Sequence, residues 1–485
     1  VSSHIERVNY VALSYVWGNA CHASTRSLPK AASRTIEDAI IVTRALGFRY
    51  LWIDRYYISQ LNDAESHGQI VKMNQIYADA VLTIVAAAGE DSRHGLPGVS
   101  RTPRDPQPCI EVRDTQLVHS LRSPRDVVMS SKWASRGWTF QEATLSRRTL
   151  FFTSDQVLFE CASMSVRETV LVPLDDAHQK QSHSMGLECD HMRIFPPNGP
   201  GRFPADIIKA ISEYTFRSLT WSSDNLNAVL GIFNSINTGQ SNNQKTRRAE
   251  SKNKIIKPVN VPVHHLWGIP YLAKAELHHG DTLDYLCSML CWRCSSPSTR
   301  SPGLPSWSWA GWELPSKVKF CQHVHGGKVD NYSHAISNIL LLTNSDEEIF
   351  MASLEDNREC GTILEKATQT LLLSGPLDIV RFEQVQGEQF LLKPIMDGHP
   401  KSIKLRFWPN VRLDTESEIK QFTSSFCVAI YLSSTWFGIT SLLVLKSKGG
   451  TWERVGVLDM FCQGNKYIHK YLEHHDLLYG TVKVC

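Results

Sequence analysis

Val8-Asn-Tyr-Val-Ala-Leu-Ser-Tyr-Val16 is an apolar, β-rich run that stops at Trp17-Gly18, and its reading decides the fold. Beyond it a helix is predicted from Ser33 to Leu46, because Ile36, Ala39, Ile40, Thr43 and Leu46 fall on one face. Ser33 or Thr35 stands where it can cap the start, and Gly47 closes the end. Tyr50–Asp54 reads as a second short buried strand. A second helix is expected over Asp63–Asp79, with Ile70, Met73, Tyr77 and Ala80 as its apolar stripe, and Val81–Ala88 as a third buried strand. Parallel strands need crossover connections, and crossover helices cover both faces of the sheet. Near-continuous apolar strands alternating with helices therefore predict a parallel α/β sheet.

Farther along, the chain is loop-like and rich in Pro and Arg from Gly95 to Pro108. A strand is expected at Pro108–Val118, a loop and helix around Trp133–Ser146, and a strand at Thr149–Phe159. The middle, about 166–315, reads as mixed and mainly helical, with helices near Pro204–Leu219 and Asp224–Ile236. Within it Gly239–Lys257 is polar and charged, the composition of a disordered insertion. From 316 to 485 short β-like runs dominate. Phe422–Leu445 is uncharged and long enough to span a bilayer, but Ser, Thr, β-branched residues and Gly438 favour two strands joined near Ser433–Thr435.

A length of 485 residues implies more than one core. A net charge of +3 with no basic stripe leaves nucleic-acid binding without an electrostatic footprint. The 12 Cys are scattered, as expected for reduced thiols in the cytoplasm, and no secretory signal is visible.

Three separated blocks carry a resemblance. They are Tyr10-Val-Ala-Leu-Ser-Tyr-Val-Trp-Gly18; Leu51-Trp-Ile-Asp54 continuing through Ile58, Gln60, Glu65, Gln69-Ile70, Met73, Ile76-Tyr77 and Ala80; and Arg136-Gly-Trp-Thr-Phe-Gln-Glu142 with Leu145-Ser146. In order and spacing they resemble the fungal heterokaryon incompatibility (HET) domain. Tyr214–Thr220, Ser223-Asp224, Leu304–Ala310 and Val455-Gly456 look like segments that accompany that domain. Where similar proteins carry Cys after the second block, this chain has Tyr57, so no thiol chemistry carries over to that position. The resemblance implies a HET domain over 8–165 acting as a cell-death effector in fungal non-self recognition. Protein partners and self-association on activation go with that role. The family core is distantly similar to the TIR domain, some of whose members cleave NAD with a catalytic Glu, which makes NAD a candidate substrate. No cofactor is required.

In an open α/β sheet ligands bind beyond the carboxyl ends of the strands. That edge gathers Ser14, Tyr15, Trp17 and Gly18 after the first strand, Asp54 after the second, and Gly89, Glu90 and Asp91 after the third. The competing reading makes the tryptophans core and Asp54 a partner of loop amides. Glu65 is the preferred candidate carboxylate, which would orient ribose hydroxyls or stabilise an oxocarbenium-like centre. Asn62-Asp-Ala-Glu65 reads equally as a helix start. Glu142 is the alternative, and Thr139-Phe-Gln-Glu142 has the form of a capping box. Arg136 is placed either to clamp a phosphate or to hold carbonyls. Cys287, Cys291 and Cys294 near His278 and His279, with Cys321, His323 and His325, lack the paired spacing of a zinc site, and no metal is expected. Ser14 and Ser154 lack nucleophile-elbow glycines, and no glycine loop cradles phosphates. Two mechanisms stay open: an enzyme that cleaves a nucleotide such as NAD, and an interaction module that clusters and recruits a separate executioner.

Overall fold

The computed structural model describes residues 8–18, 32–57, 72–162, 164–169, 193–196, 199–201, 204–237, 263–272, 282–320, 324–325, 328–329, 332–351, 366–386, 389–394, 406–407, 409, 416–435, 439–461 and 478–485. The chain gathers into two compact units. The first holds residues up to Arg202 with Arg217–Leu219 and Asn227–Pro258, so a helix of the middle segment belongs to it. The second holds the remainder, including Val259–Cys485.

The first unit is built on a six-stranded sheet. Strands β1 (Tyr10–Ser14), β2 (Tyr50–Ile53), β3 (Leu82–Ala86), β6 (Arg148–Phe152), β7 (Val157–Cys161) and β8 (Ser165–Arg167) run in the order β2-β1-β3-β6-β7-β8. The hairpin β4 (Cys109–Val112) and β5 (Thr115–Val118) lies outside this sheet. Strands β1, β2, β3 and β6 are mutually parallel, with Ala12 paired to Trp52 on one side and to Thr83 on the other. The predicted parallel α/β sheet is present, and β7 and β8 extend it antiparallel.

Both faces are covered, which is why β1 reads as a continuous apolar run. Val11 and Leu13 turn to one face, where they pack with Ile53, Ile84 and Phe152 and with Ile36 and Ala39 of α1 (Arg34–Ala45). Ala12 turns to the other, against Met73 and Tyr77 of the helix Met73–Asp79. That helix, Gly137–Leu145 and Asn227–Asn237 pack on one another. Gly231 permits the approach, since a Cβ there would lie 2.6 Å from Asn74 Cβ. Ser33 occupies the N-cap of α1 through its backbone alone, and Gly47 closes the helix at φ +79°.

Two expected single strands are hairpins. Pro108–Val118 breaks into β4 and β5 because Arg113 turns at φ +57°. Thr149–Phe159 divides into β6 and β7, since the Thr153 hydroxyl donates to the Gln156 carbonyl at 2.6 Å and accepts from the Gln156 amide, closing a turn.

The second unit is β-rich, as expected of the C-terminal region. A ten-stranded sheet centres on the 20-residue strand Ala367–Gln386, which pairs with Asn338–Thr343 and Leu478–Val484 at one end and with Gln389–Pro394 and Cys427–Thr435 at the other. Phe422–Leu445 is largely the antiparallel pair Cys427–Thr435 and Ile439–Lys448, with Phe422 in the preceding helix. Among the described residues no helix is long and apolar enough to cross a membrane. Trp292, Trp307, Trp309 and Trp312 form a buried centre whose indole N–H groups donate to carbonyls of Trp307, Gln369, Gly268 and Ser306 respectively. The run Tyr285–Trp292 is buried, and most of it lies in the helix Thr282–Leu290. His278, His279, Cys321, His323 and the expected insertion Gly239–Lys257 lie outside the described residues.

Candidate functional site

At the carboxyl edge of the parallel strands, β1 ends on Ser14, which is buried. Its hydroxyl donates to Glu142 Oε2 at 2.5 Å and accepts from Trp133 Nε1 at 2.7 Å. Both hydrogen-bonding roles of this hydroxyl are thereby taken. Glu142 is buried midway along Gly137–Leu145, near Tyr77, whose hydroxyl donates to the Leu13 carbonyl at 3.3 Å. Burial raises the Glu142 carboxyl above its ordinary range, while the bond from Ser14, the charge of Arg136 and the polar Tyr77 hydroxyl nearby pull the other way.

Asp54 follows β2 and opens the single turn Asp54–Tyr57. Its carboxylate accepts Trp17 Nε1 at 3.0 and 3.1 Å and the Arg55 amide at 2.7 Å. Burial first, and then the neighbouring charge of Glu142, push its pKa up to about 7; Arg136 and the two N–H donors oppose the shift. The charge of Glu142 thus reaches Asp54 through the buried edge.

Arg136 is the N-cap of Gly137–Leu145 and holds an extended conformation. Its guanidinium donates to the Tyr15 carbonyl at 2.9 Å, tying this helix start to the end of β1, while Gly137 N–H donates to Ser218 O at 2.8 Å. Burial also raises the Tyr15 hydroxyl. Gly18 stands at φ +74°, and a Cβ on it would lie 2.5 Å from Asp91 Cβ. Only glycine lets the loop after β1 meet the loop after β3 there.

The structure therefore brings together Ser14, Tyr15, Trp17, Asp54, Arg136 and Glu142, and sets Gly18 against the third loop. The capping-box reading of Glu142 is overturned. Thr139 lies within the first turn, its hydroxyl donates to the carbonyls of Trp133 and Arg136, and no side chain caps this helix. Glu142 is turned inward to Ser14 instead. Glu65 lies outside the described residues, as do Ile58, Gln60, Gln69 and Ile70. Trp133 and Tyr77 were not among the candidates. The available signal was general: a buried indole N–H or phenol needs a polar partner, so each marks a polar group nearby.

A parallel α/β domain with a buried carboxylate pair at its strand-end edge is the class these features define. Residues 10–142 match the family model described as Heterokaryon incompatibility protein (HET), and over this part the chain is similar to that domain. The match begins at the first residue of β1 and ends at Glu142, so it encloses every candidate residue named above. No curated protein and no solved structure matches the chain.

Proposed function

We propose that the first unit acts in fungal heterokaryon incompatibility as a cell-death effector, and that its effector step is cleavage of the N-glycosidic bond of a nicotinamide dinucleotide. A HET domain suggests the incompatibility and cell-death role. The observation that supports the chemistry is the Asp54–Glu142 pair, held with Arg136 at the edge where strand ends collect ligands. Four parallel strands in the order β2-β1-β3-β6 are compatible with the TIR-like reading.

In this reaction the bond between ribose C1′ and the nicotinamide nitrogen breaks, and its electron pair leaves with nicotinamide, cancelling the pyridinium charge. Positive charge develops at C1′, and the Glu142 carboxylate stabilises it electrostatically. A water oxygen bonds to C1′ and its proton passes to Asp54, whose proton affinity near neutrality suits a general base. The products are nicotinamide, ADP-ribose and, once Asp54 has released it to solvent, one proton. In this reading Arg136, which also ties the Tyr15 carbonyl, pairs with a dinucleotide's phosphates.

The interaction-module reading is favoured by a different observation: Ser14 and Glu142 are buried and bonded to each other, as in a purely structural network. Nicotinamide release by the concentrated full chain separates the two. The expected result is turnover that Glu142→Gln and Asp54→Asn each abolish while thermal unfolding shows both variants folded. Absence of turnover by the wild-type chain, with cell killing intact, overturns the enzymatic reading.

A further inference from the structure

Among the described residues the hairpin of β4 and β5 pairs with no other strand, and all eight of its strand residues are exposed. Isolated two-stranded hairpins are marginal in water, and a third strand or a covered apolar face is what stabilises them. Here the register Ile110↔Leu117 and Val112↔Thr115 puts Ile110, Val112 and Leu117 on one face, with exposures of 63%, 48% and 51%.

The two outer edges are not alike. Proteins protect free strand edges with proline and charge. β4 has both, with Pro106 and Pro108 immediately before it and Glu111 within it. β5, Thr115-Gln-Leu-Val118, has neither. The open edge therefore belongs to β5.

Its backbone polarity is also fixed. His119 N–H donates to Pro108 O at 2.8 Å, and bonded pairs alternate along an antiparallel ladder, so Ile110/Leu117 is the next bonded pair. The backbone groups of Leu117 turn toward β4, and those of Gln116 and Val118 turn outward.

We propose that this hairpin is a self-association surface, in which β5 pairs antiparallel with β5 of a second copy about a two-fold axis at Leu117. That register lets Gln116 exchange both backbone bonds with Val118 of the second copy. Leu117 then stands opposite its own counterpart as a non-bonded pair, the closer kind of pair in such a sheet. One face acquires the continuous row Ile110, Leu117, Leu117, Ile110 across four strands. No charged residue of β5 opposes another, because β5 has none. This is why the occupant is a second copy: an isologous pairing needs one patch complementary to itself, and this edge is. Four-residue strands bury far less than the roughly 1,200–2,000 Å² of a stable specific complex, so the contact is weak and acts between chains already concentrated. The inference does not depend on the enzymatic reading above.

The test uses the full chain with Leu117→Cys or Gln116→Cys under oxidised glutathione, resolved by non-reducing gel and by mass spectrometry of the cross-linked peptide. Leu117→Cys is expected to give a 117–117 disulfide dimer at least about tenfold faster than Gln116→Cys, which points to the opposite face. In parallel, sedimentation should show concentration-dependent dimers that Leu117→Asp weakens by at least about tenfold and that Glu111→Lys on the protected edge leaves unchanged. Thermal unfolding unchanged in all variants establishes that the fold is intact. Equal cross-linking at 116 and 117, a monomer at every concentration, or dimers that survive Leu117→Asp would each overturn the proposal.

Discussion

Ser14 and Glu142 meet at 2.5 Å although 128 positions separate them, and this bond joins the end of the first parallel strand to the middle of the helix that closes the HET match. Because Ser14 also accepts the Trp133 indole, two other side chains, one from a helix and one from the turn before it, depend on one hydroxyl. The arrangement is a buried polar network in which every loss exposes a second group to desolvation.

Ser14→Ala removes the donor to Glu142 and the acceptor for Trp133 together. Leaving buried polar groups unpaired costs about 1–3 kcal/mol each, so for the two groups a destabilisation of about 2–6 kcal/mol is expected in urea unfolding. Trp133→Phe removes the N–H donor and, because Trp133 is fully buried, also leaves a cavity where the larger indole stood, so it too should destabilise the fold. Equal stability of Ser14→Ala and wild type would show that the network contributes nothing.

Asp54 makes stability depend on pH in a defined direction. Its pKa rises from 3.8 to about 7 on folding, so between those values the folded chain binds a proton that the unfolded chain does not. Stability therefore falls as pH rises from about 4 to about 7 and levels off above that window. Asp54→Asn, which cannot titrate, should flatten this slope and be relatively more stable at neutral pH. Denaturation midpoints across the window check it; a wild-type slope of the opposite sign, or one undiminished in Asp54→Asn, refutes the assignment.

Two glycines separate backbone strain from steric contact. Gly47 has φ +79° and open space around it, so Gly47→Ala should cost only the left-handed penalty of about 1–2 kcal/mol. Gly18 has φ +74°, and in addition a methyl group there would stand 2.5 Å from Asp91 Cβ, so Gly18→Ala must also move a loop. The second variant should be the less stable of the two in thermal unfolding, and if the enzymatic reading holds it alone should lose nicotinamide release.

In the second unit Arg454 is fully buried over the Trp292 ring, with its guanidinium carbon 3.8 Å from the ring centre, and it donates to the carbonyls of Leu290 and Trp292. Burial lowers its pKa to about 9. Arg454→Met fills similar space but leaves both carbonyls without their donor, and a loss of about 2–4 kcal/mol is expected in denaturant unfolding. A neutral outcome would show that the carbonyls find other partners.

What the sequence determined by itself was the alternation of the first unit and, from it, the edge where a site belongs. Local apolar periodicity records which faces of β1 and α1 are buried, because that pattern is a property of neighbouring residues. Ser14, Asp54 and Arg136 were legible for the same reason, as polar residues at the ends of predicted strands and at a helix start. Glu142 was legible as an alternative carboxylate, but the local reading also assigned it to a cap, and that part was wrong. Its partner is set by how Gly137–Leu145 packs across β1, and a capping motif carries no information about that packing. Trp133 and Tyr77 were hidden in the same way, since a buried aromatic reads as core until the group receiving its N–H or O–H is known. The paired carboxylates, and the raised proton affinity that follows from burying them together, belong to the tertiary structure because desolvation and charge coupling act through space between segments distant in the chain.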